Sequence, residues 1–184
     1  IRILAASSYV AHADESPADI KSMLREEGGP RLRRSSRHTE LALLGALRCV
    51  RDVPPLPATC ALYLTSSQGN VGDTVSLLEQ IVRDGLEPMP FTFINVSSNM
   101  AGHAVAQALG LEGKNSALSR IGGAFDSALE LAQLDLQAGT VPMALVGVVE
   151  QCAWPLADQR WRLKVGEDVR LAEQSSWLLL SAAE

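Results

Sequence analysis

Asn115-Ser-Ala-Leu-Ser-Arg-Ile121, then Gly122-Gly123, then Ala124-Phe-Asp-Ser-Ala-Leu-Glu-Leu-Ala-Gln-Leu-Asp-Leu-Gln-Ala138, and then, after Gly139, Met143-Ala-Leu-Val-Gly-Val-Val149 is the run that decides the fold. The first piece reads as a short strand, the glycine pair as a tight turn, and Ala124–Ala138 as a helix ended by Gly139. Phe125, Ala128, Leu129, Ala132 and Leu136 share one helical face, with Asp126, Glu130, Gln133 and Gln137 opposite. Leu131 and Leu134 widen the apolar arc, which predicts a deeply packed helix. Met143–Val149 is apolar throughout, the pattern of a strand buried on both faces. Strands alternating with helices in this way predict parallel pairing, because parallel neighbours need a crossover.

Upstream, Cys60–Thr65 is a second continuous apolar run, bounded by Pro57 and by Ser66-Ser-Gln-Gly69. Asp73 can cap a following helix with Val75, Leu78 and Val82 on one side and Leu77 and Ile81 beside them. Pro88 and Pro90 punctuate an irregular stretch. A small-residue helix runs from Ser98 to Leu109, with Gly110 placed as a left-handed terminator. Another helix starts at Thr39, with Glu40 in its first turn and Leu43, Leu44, Leu47 and Val50 as its stripe, and is closed by Pro54-Pro55. Ile1–Val10 reads as the first strand, ending before a polar His12–Pro17 loop. Downstream, residues 155–174 read as a polar excursion without a helix. Ser175–Ala182 is then a closing strand that pairs antiparallel at or near an edge. The expected architecture is one layered α/β domain over residues 1–184, with a mixed, mainly parallel five-stranded sheet and an antiparallel closing strand.

Composition narrows the function classes. An apolar fraction of 47% over 184 residues excludes disorder, and a net charge of −5 makes a poor nucleic-acid binder. No run approaches the roughly 18–20 apolar residues of a membrane span. Ile1-Arg2-Ile3-Leu4 lacks the charged and apolar regions of an export signal, so the reading is a soluble cytoplasmic chain. Cys49, Cys60 and Cys152 are odd in number and unpaired in spacing, and His12, His38 and His103 are scattered, so no disulfide, metal site or cofactor is expected. Residues 21–37 alone look unable to pack, holding Lys21, Arg25, Arg31, Arg33, Arg34 and Arg37 against Glu26 and Glu27. The serine-hydrolase, zinc-protease, phosphate-loop and dinucleotide signatures are absent. Gln68-Gly-Asn-Val-Gly72 reads as a simple turn, and Glu26-Glu27 as solvated carboxylates unsuited to acid/base work.

Gly110-Leu-Glu-Gly113, Gly139 and Ala144-Leu-Val-Gly147-Val-Val-Glu150 together resemble the nucleophile region of β-ketoacyl synthases of the thiolase-like superfamily. That family carries a Gly-Leu-x-Gly-Pro segment, a short strand, a cysteine at the tip of the next helix, and an apolar strand ending in Gly-Gly-x-Glu. The resemblance implies a thiolase-like half-fold, because the chain corresponds to the family's first half and lacks the second half with its two catalytic histidines. The departures are chemical. Gly122 falls at the nucleophile position, Ile121 and Gly123 are the only neighbours in slipped register, and Lys114 replaces the proline. No covalent acyl transfer by the family route is open to such a chain.

A non-catalytic chain of this kind resembles the chain-length factor that pairs with an active β-ketoacyl synthase in fatty acid, polyketide or aryl polyene biosynthesis. The resemblance implies a heterodimer with a full-length synthase and contact with an acyl carrier protein. It assigns Asn115, Ser116, Ala117, Leu118 and Ser119 to the partner-facing strand, and Met100, His103, Ala104 and Gln107 to the border of the acyl tunnel. Arg31, Arg33, Arg34 and Arg37 would steer the acidic carrier protein, unless they form an ordinary solvated loop with Arg37 paired to Glu40. A half-domain of this kind should also retain apolar surface. Two alternatives stand beside it: a stand-alone acyltransferase or hydrolase using Ser119, Cys152 or another side chain, and an acyl-chain or carrier-protein binding module.

Overall fold

The structure, a computed structural model, describes residues 1–13 and 17–183. In chain order it runs β1 (Arg2–His12), α1 (Ile20–Glu26), α2 (Arg37–Val50), β2 (Ala61–Ser66) and α3 (Val71–Leu78), which continues as a π-helical turn over Glu79–Arg83. Then come α4 (Pro90–Asn95), α5 (Met100–Leu109), β3 (Asn115–Ser119), α6 (Ala124–Gln137), β4 (Met143–Glu150), α7 (Leu156–Leu163) and β5 (Ala172–Ser181). The five strands form one sheet in the order β1-β5-β4-β2-β3. β2 pairs parallel with β3 and β4, while β5 lies antiparallel between β4 and β1. Four strands therefore run one way and only the closing strand opposes them, one place in from the edge that β1 occupies.

Three helices depart from the sequence reading, each for a physical reason. The basic segment packs after all. Asp19 caps α1 by accepting from Ser22 N–H at 3.0 Å, and Ile20 and Leu24, one helical turn apart, are buried against the core while the cations point outward. Pro90 opens α4 instead of breaking the chain, since proline is well suited to the first helical position. The buried residue of α7 is Gln159, so the helix has no apolar period to find. Boundaries also move. Ser36 caps α2 through its hydroxyl, which accepts from Thr39 N–H at 3.1 Å, so that helix starts at Arg37. α3 begins at Val71, with Asp73 inside its first turn. β1 reaches His12, paired with Ala172, and Asp14–Ser16 of the expected loop lie outside the described residues.

The sheet is covered differently on its two faces. On one, α2 is buried along most of its length against β5, β1 and β4, with α1 and α5 flanking it. Trp177, only 1% exposed, fills the gap between α2 and the sheet. It can do so because Gly45 of α2 and its cross-strand partner Gly147 carry no side chains: a Cβ would come within 2.6 Å and 2.4 Å of the indole, respectively. On the other face α6 covers mainly β2 and β4, through Ala128, Ala132 and Leu136 against Ala61, Tyr63, Ala144 and Val146, with Leu118 of β3 and Leu180 of β5 at the margins. The expected deep packing of α6 is corrected here. Leu131 and Leu134 are exposed, since nothing described lies on the far side of the helix. Further apolar surface gathers between residues 78 and 94, where Leu78, Val82, Leu86, Met89, Phe91 and Phe93 are each more than half exposed. Among the described residues no helix is long and apolar enough to cross a membrane.

Candidate functional site

Ligands of open α/β sheets gather outside the carboxyl ends of parallel strands. Here those ends bring together Ser66-Ser67 from β2, Ser119-Arg120 from β3 and Glu150-Gln151 from β4. Glu150 is fixed in place: its carboxylate accepts from Ser67 N–H at 2.5 Å, Ser67 Oγ at 2.9 Å and Ser66 Oγ at 3.2 Å. Ser66 Oγ in turn accepts from Gly69 N–H at 2.8 Å, which ties the bend at residues 68–70 to the end of β2, while Val71 and Gly72 already belong to α3. Asn70 ties this end to α4 by donating to Asn95 O, and accepts from Gln151 Nε2 at 3.4 Å.

A cavity of about 40 Å³ opens at the same place, walled by His38, Thr65, Ser66, Ser98, Ala117 and Ser119 among others. His38 is the member that sequence reasoning missed, since nothing in its spacing sets it apart from His12 and His103. It is 5% exposed and its Nδ1 has no hydrogen-bond partner. Burial pushes its pKa down to about 4, so the imidazole is neutral near pH 7. Linkage then fixes the sign. Between the unfolded value of 6.5 and the folded value of about 4, the unfolded chain binds a proton that the folded chain refuses. Stability is complete above pH 6.5 and falls as pH drops toward 4; the unfolding free energy of His38→Gln should show a flatter profile across that window.

Just past Ser119 lies the turn where the sequence resemblance puts a nucleophile. Gly122 and Gly123 have φ of +72° and +67°, a left-handed pair that α6 follows directly, and a Cβ at Gly122 would meet nothing within 4 Å. The turn is held by Arg120 donating to Ser127 Oγ at 3.1 Å and Ser127 Oγ donating to Gly123 O at 3.0 Å. It presents no nucleophilic side chain. The cysteines do not compensate. All three are buried, and burial pushes each thiol up to about 11, with the Glu173 carboxylate adding to the effect at Cys152. In the native chain at pH 8 their alkylation should be about 100-fold slower than that of free cysteine, because so little thiolate is present. A fast-reacting Cys152 would revive the acyltransferase alternative.

β3 sits at the open edge of the sheet, with Asn115, Ala117 and Ser119 exposed and Ser116 and Leu118 half-buried. Leu62 N–H donates to Lys114 O at one end of the β2–β3 ladder, and Arg120 N–H to Ser66 O at the other. In a parallel ladder that alternation leaves Asn115, Ala117 and Ser119 with their N–H and C=O groups turned outward. Lys114 donates to Asp135 Oδ2 at 2.6 Å, and Tyr63 donates to the same carboxylate. These two partners hold the Asp135 carboxyl below its ordinary range.

α5 buries Ala101, Gly102, Val105 and Ala106. His103 and Gln107 are exposed, and Met100 and Ala104 half-buried, so this face is open surface rather than the wall of an enclosed channel.

The four arginines separate. Arg37 does not pair with Glu40. It donates from Nε at 2.7 and 3.0 Å and from Nη2 at 2.5 Å to the buried Glu173, and from Nη1 to Ala18 O at 3.0 Å. Glu40 instead accepts from Ser35 Oγ at 2.5 Å and pairs with Lys21 at 3.4 Å. Arg34 lies 5.1 Å from the Phe91 ring centre. Arg31 and Arg33 remain exposed, without an ion pair among the described residues.

No family model and no curated protein matches the chain. Solved structures do. The fold is similar to that of the ishigamide ketosynthase/chain length factor, with a TM-score of 0.80 at 19% identity over 98% of this chain and 62% of that one. It is also similar to a ketosynthase in complex with its chain length factor from Xenorhabdus doucetiae, with a TM-score of 0.72 at 16% identity over 99% and 79% of the two chains. A third is a type II polyketide synthase acyl carrier protein in complex with its ketosynthase, with a TM-score of 0.65 at 17% identity over 82% and 45%. At these identities the likeness is one of fold, and the chain spans 62% of the length of the first of these relatives. The α/β architecture with its mixed five-stranded sheet is that of half a ketosynthase.

Proposed function

We propose that this chain is a non-catalytic, ketosynthase-like subunit of chain-length-factor type, a single domain that pairs with an active β-ketoacyl synthase in the cytoplasm and shapes its acyl tunnel. The observation that carries the reading is Gly122: in a ketosynthase-like fold, the head of α6 presents bare backbone where an attacking sulfur is required. The outward groups of β3 support the pairing, since an exposed strand edge is a template for another chain's strand. The half-open face of Met100, His103, Ala104 and Gln107 is suited to completion by a second subunit, with Met100 adaptable to a flexible acyl chain. Of the arginines, Arg31 and Arg33 are left to steer a carrier protein.

The test is co-expression with the cognate synthase and mass measurement of the purified complex. A one-to-one heterodimer is expected, with condensing activity only when both chains are present. Ala117→Pro removes an outward N–H without touching the ladder to β2, as proline on an edge strand allows. Its circular dichroism should match the wild type while the heterodimer is lost. Condensation by this chain alone, or a complex indifferent to Ala117→Pro, would count against the reading.

A further inference from the structure

α1 and the loop of residues 27–36 enclose a hollow of about 360 Å³ that the pairing described above does not use. Its rim is cationic, formed by Lys21, Arg25, Arg31 and Arg33, and its floor is apolar, formed by Leu24, Pro30 and Leu32. Lys21 has one ion-pair partner, Glu40 at 3.4 Å, and Arg25, Arg31 and Arg33 have none among the described residues. Arg37, Arg48, Arg51, Arg83 and Lys114 are paired with carboxylates, whereas the hollow gathers, within nine residues of sequence, three arginines unpaired among the described residues. Four cationic residues lining one hollow, only Lys21 of them paired, repel one another unless an anion joins them.

We propose that this hollow is a binding site for a compact phosphorylated small molecule of the nucleoside diphosphate class. Concavity suits a ligand small enough to enter the hollow, whereas a carrier protein steered by Arg31 and Arg33 would meet only their outer, solvent-facing side. The volume lies in the range of small-molecule sites and exceeds what a single inorganic phosphate fills. Three guanidinium groups supply paired donors matched to phosphate oxygens, and Lys21 adds a point charge. Pro30 and Leu32, with Leu24 buried behind them, offer an apolar bed for a base or ring, as specific ligand pockets combine an apolar lining with a few convergent polar groups. The site does not depend on the subunit reading, and either can fail without the other.

The experiment is calorimetric titration of the full chain with pyrophosphate, ADP and adenosine at 50 and 200 mM salt. Pyrophosphate and ADP should each bind once per chain, ADP more tightly, adenosine not measurably, and the higher salt should weaken both anions. Arg31→Gln and Arg33→Gln should each lower the ADP affinity about tenfold, the loss of one charge-assisted pair. Arg2→Gln, an exposed arginine outside the hollow, should leave it unchanged. These side chains are exposed, so the variants should keep wild-type circular dichroism. Absence of saturable binding by either anion, binding unchanged in the Arg31 and Arg33 variants, or an equal loss in Arg2→Gln would overturn the site. So would an acidic carrier protein that binds through Arg31 and Arg33 while both small anions fail, which would assign the hollow to a macromolecular surface.

Discussion

Glu173→Ala should lower the unfolding free energy by about 3–5 kcal/mol, the usual loss when one member of a buried ion pair is removed. Glu173, 2% exposed, accepts from three Arg37 contacts and from Cys152 N–H at 3.1 Å. Its removal strands a guanidinium that is also held by Ala18 O and lies 5.5 Å from the Trp154 ring centre, and leaves a buried amide unsatisfied. The damage comes from the orphaned partners rather than from the lost attraction, so Arg37→Ala in the Glu173→Ala background should cost less than it does alone. Urea titration of the two single variants and the double variant checks this. Additive losses would mean that the two groups do not act as a unit.

Trp177→Ala should be comparably damaging, at about 3–5 kcal/mol. The indole lies between two glycine backbones, and its Nε1 donates to Ser175 Oγ at 2.9 Å. Backbone on a helix and on a paired strand cannot collapse into the space, so the cavity stays open. Trp161, 81% exposed on α7, is the internal comparison: its alanine variant should stay within about 0.5 kcal/mol of wild type. Intrinsic fluorescence gives a second readout, since the blue-shifted native emission should vanish with Trp177 and survive the loss of Trp161. A Trp177→Ala midpoint close to wild type would show that the core rearranges to fill the gap.

The parts of the fold legible in the sequence are those where burial writes a period. β2 and β4 are buried on both faces and read as unbroken apolar runs, while α2, α5 and α6 show helical stripes and recognisable ends. What stayed hidden has other causes. In α7 a glutamine occupies the buried position, so no hydropathy pattern could mark it. Pro90 looked like an interruption because a proline that starts a helix and one that ends it are the same letter. Leu131 and Leu134 suggested a helix enclosed all round, yet a stripe reports only what could be buried, and α6 has one described neighbour layer. At the candidate site, the glycine pair Gly122-Gly123 reads as a turn in the sequence and is one in the structure. The Arg37–Glu173 pair spans 136 positions and was not legible, which is why a local partner, Glu40, was expected instead. His38 owes its character entirely to its surroundings, and the cationic hollow requires α1, whose existence depends on Ile20 and Leu24 meeting α2.

Pairing the first strand with the last has a temporal side. Among the described residues the one sheet neighbour of β1 is β5, joined from Arg2 opposite Ser181 to His12 opposite Ala172. During synthesis β1 emerges ahead of β5 by all the residues between them, a wait on the order of ten seconds or more at roughly 5–20 residues per second. The layer formed by α2 must therefore assemble against an unfinished sheet. Nascent chains stalled before residue 172 should expose that apolar helix to chaperones, and emergence of the ten-residue β5 is the event that ends the exposure.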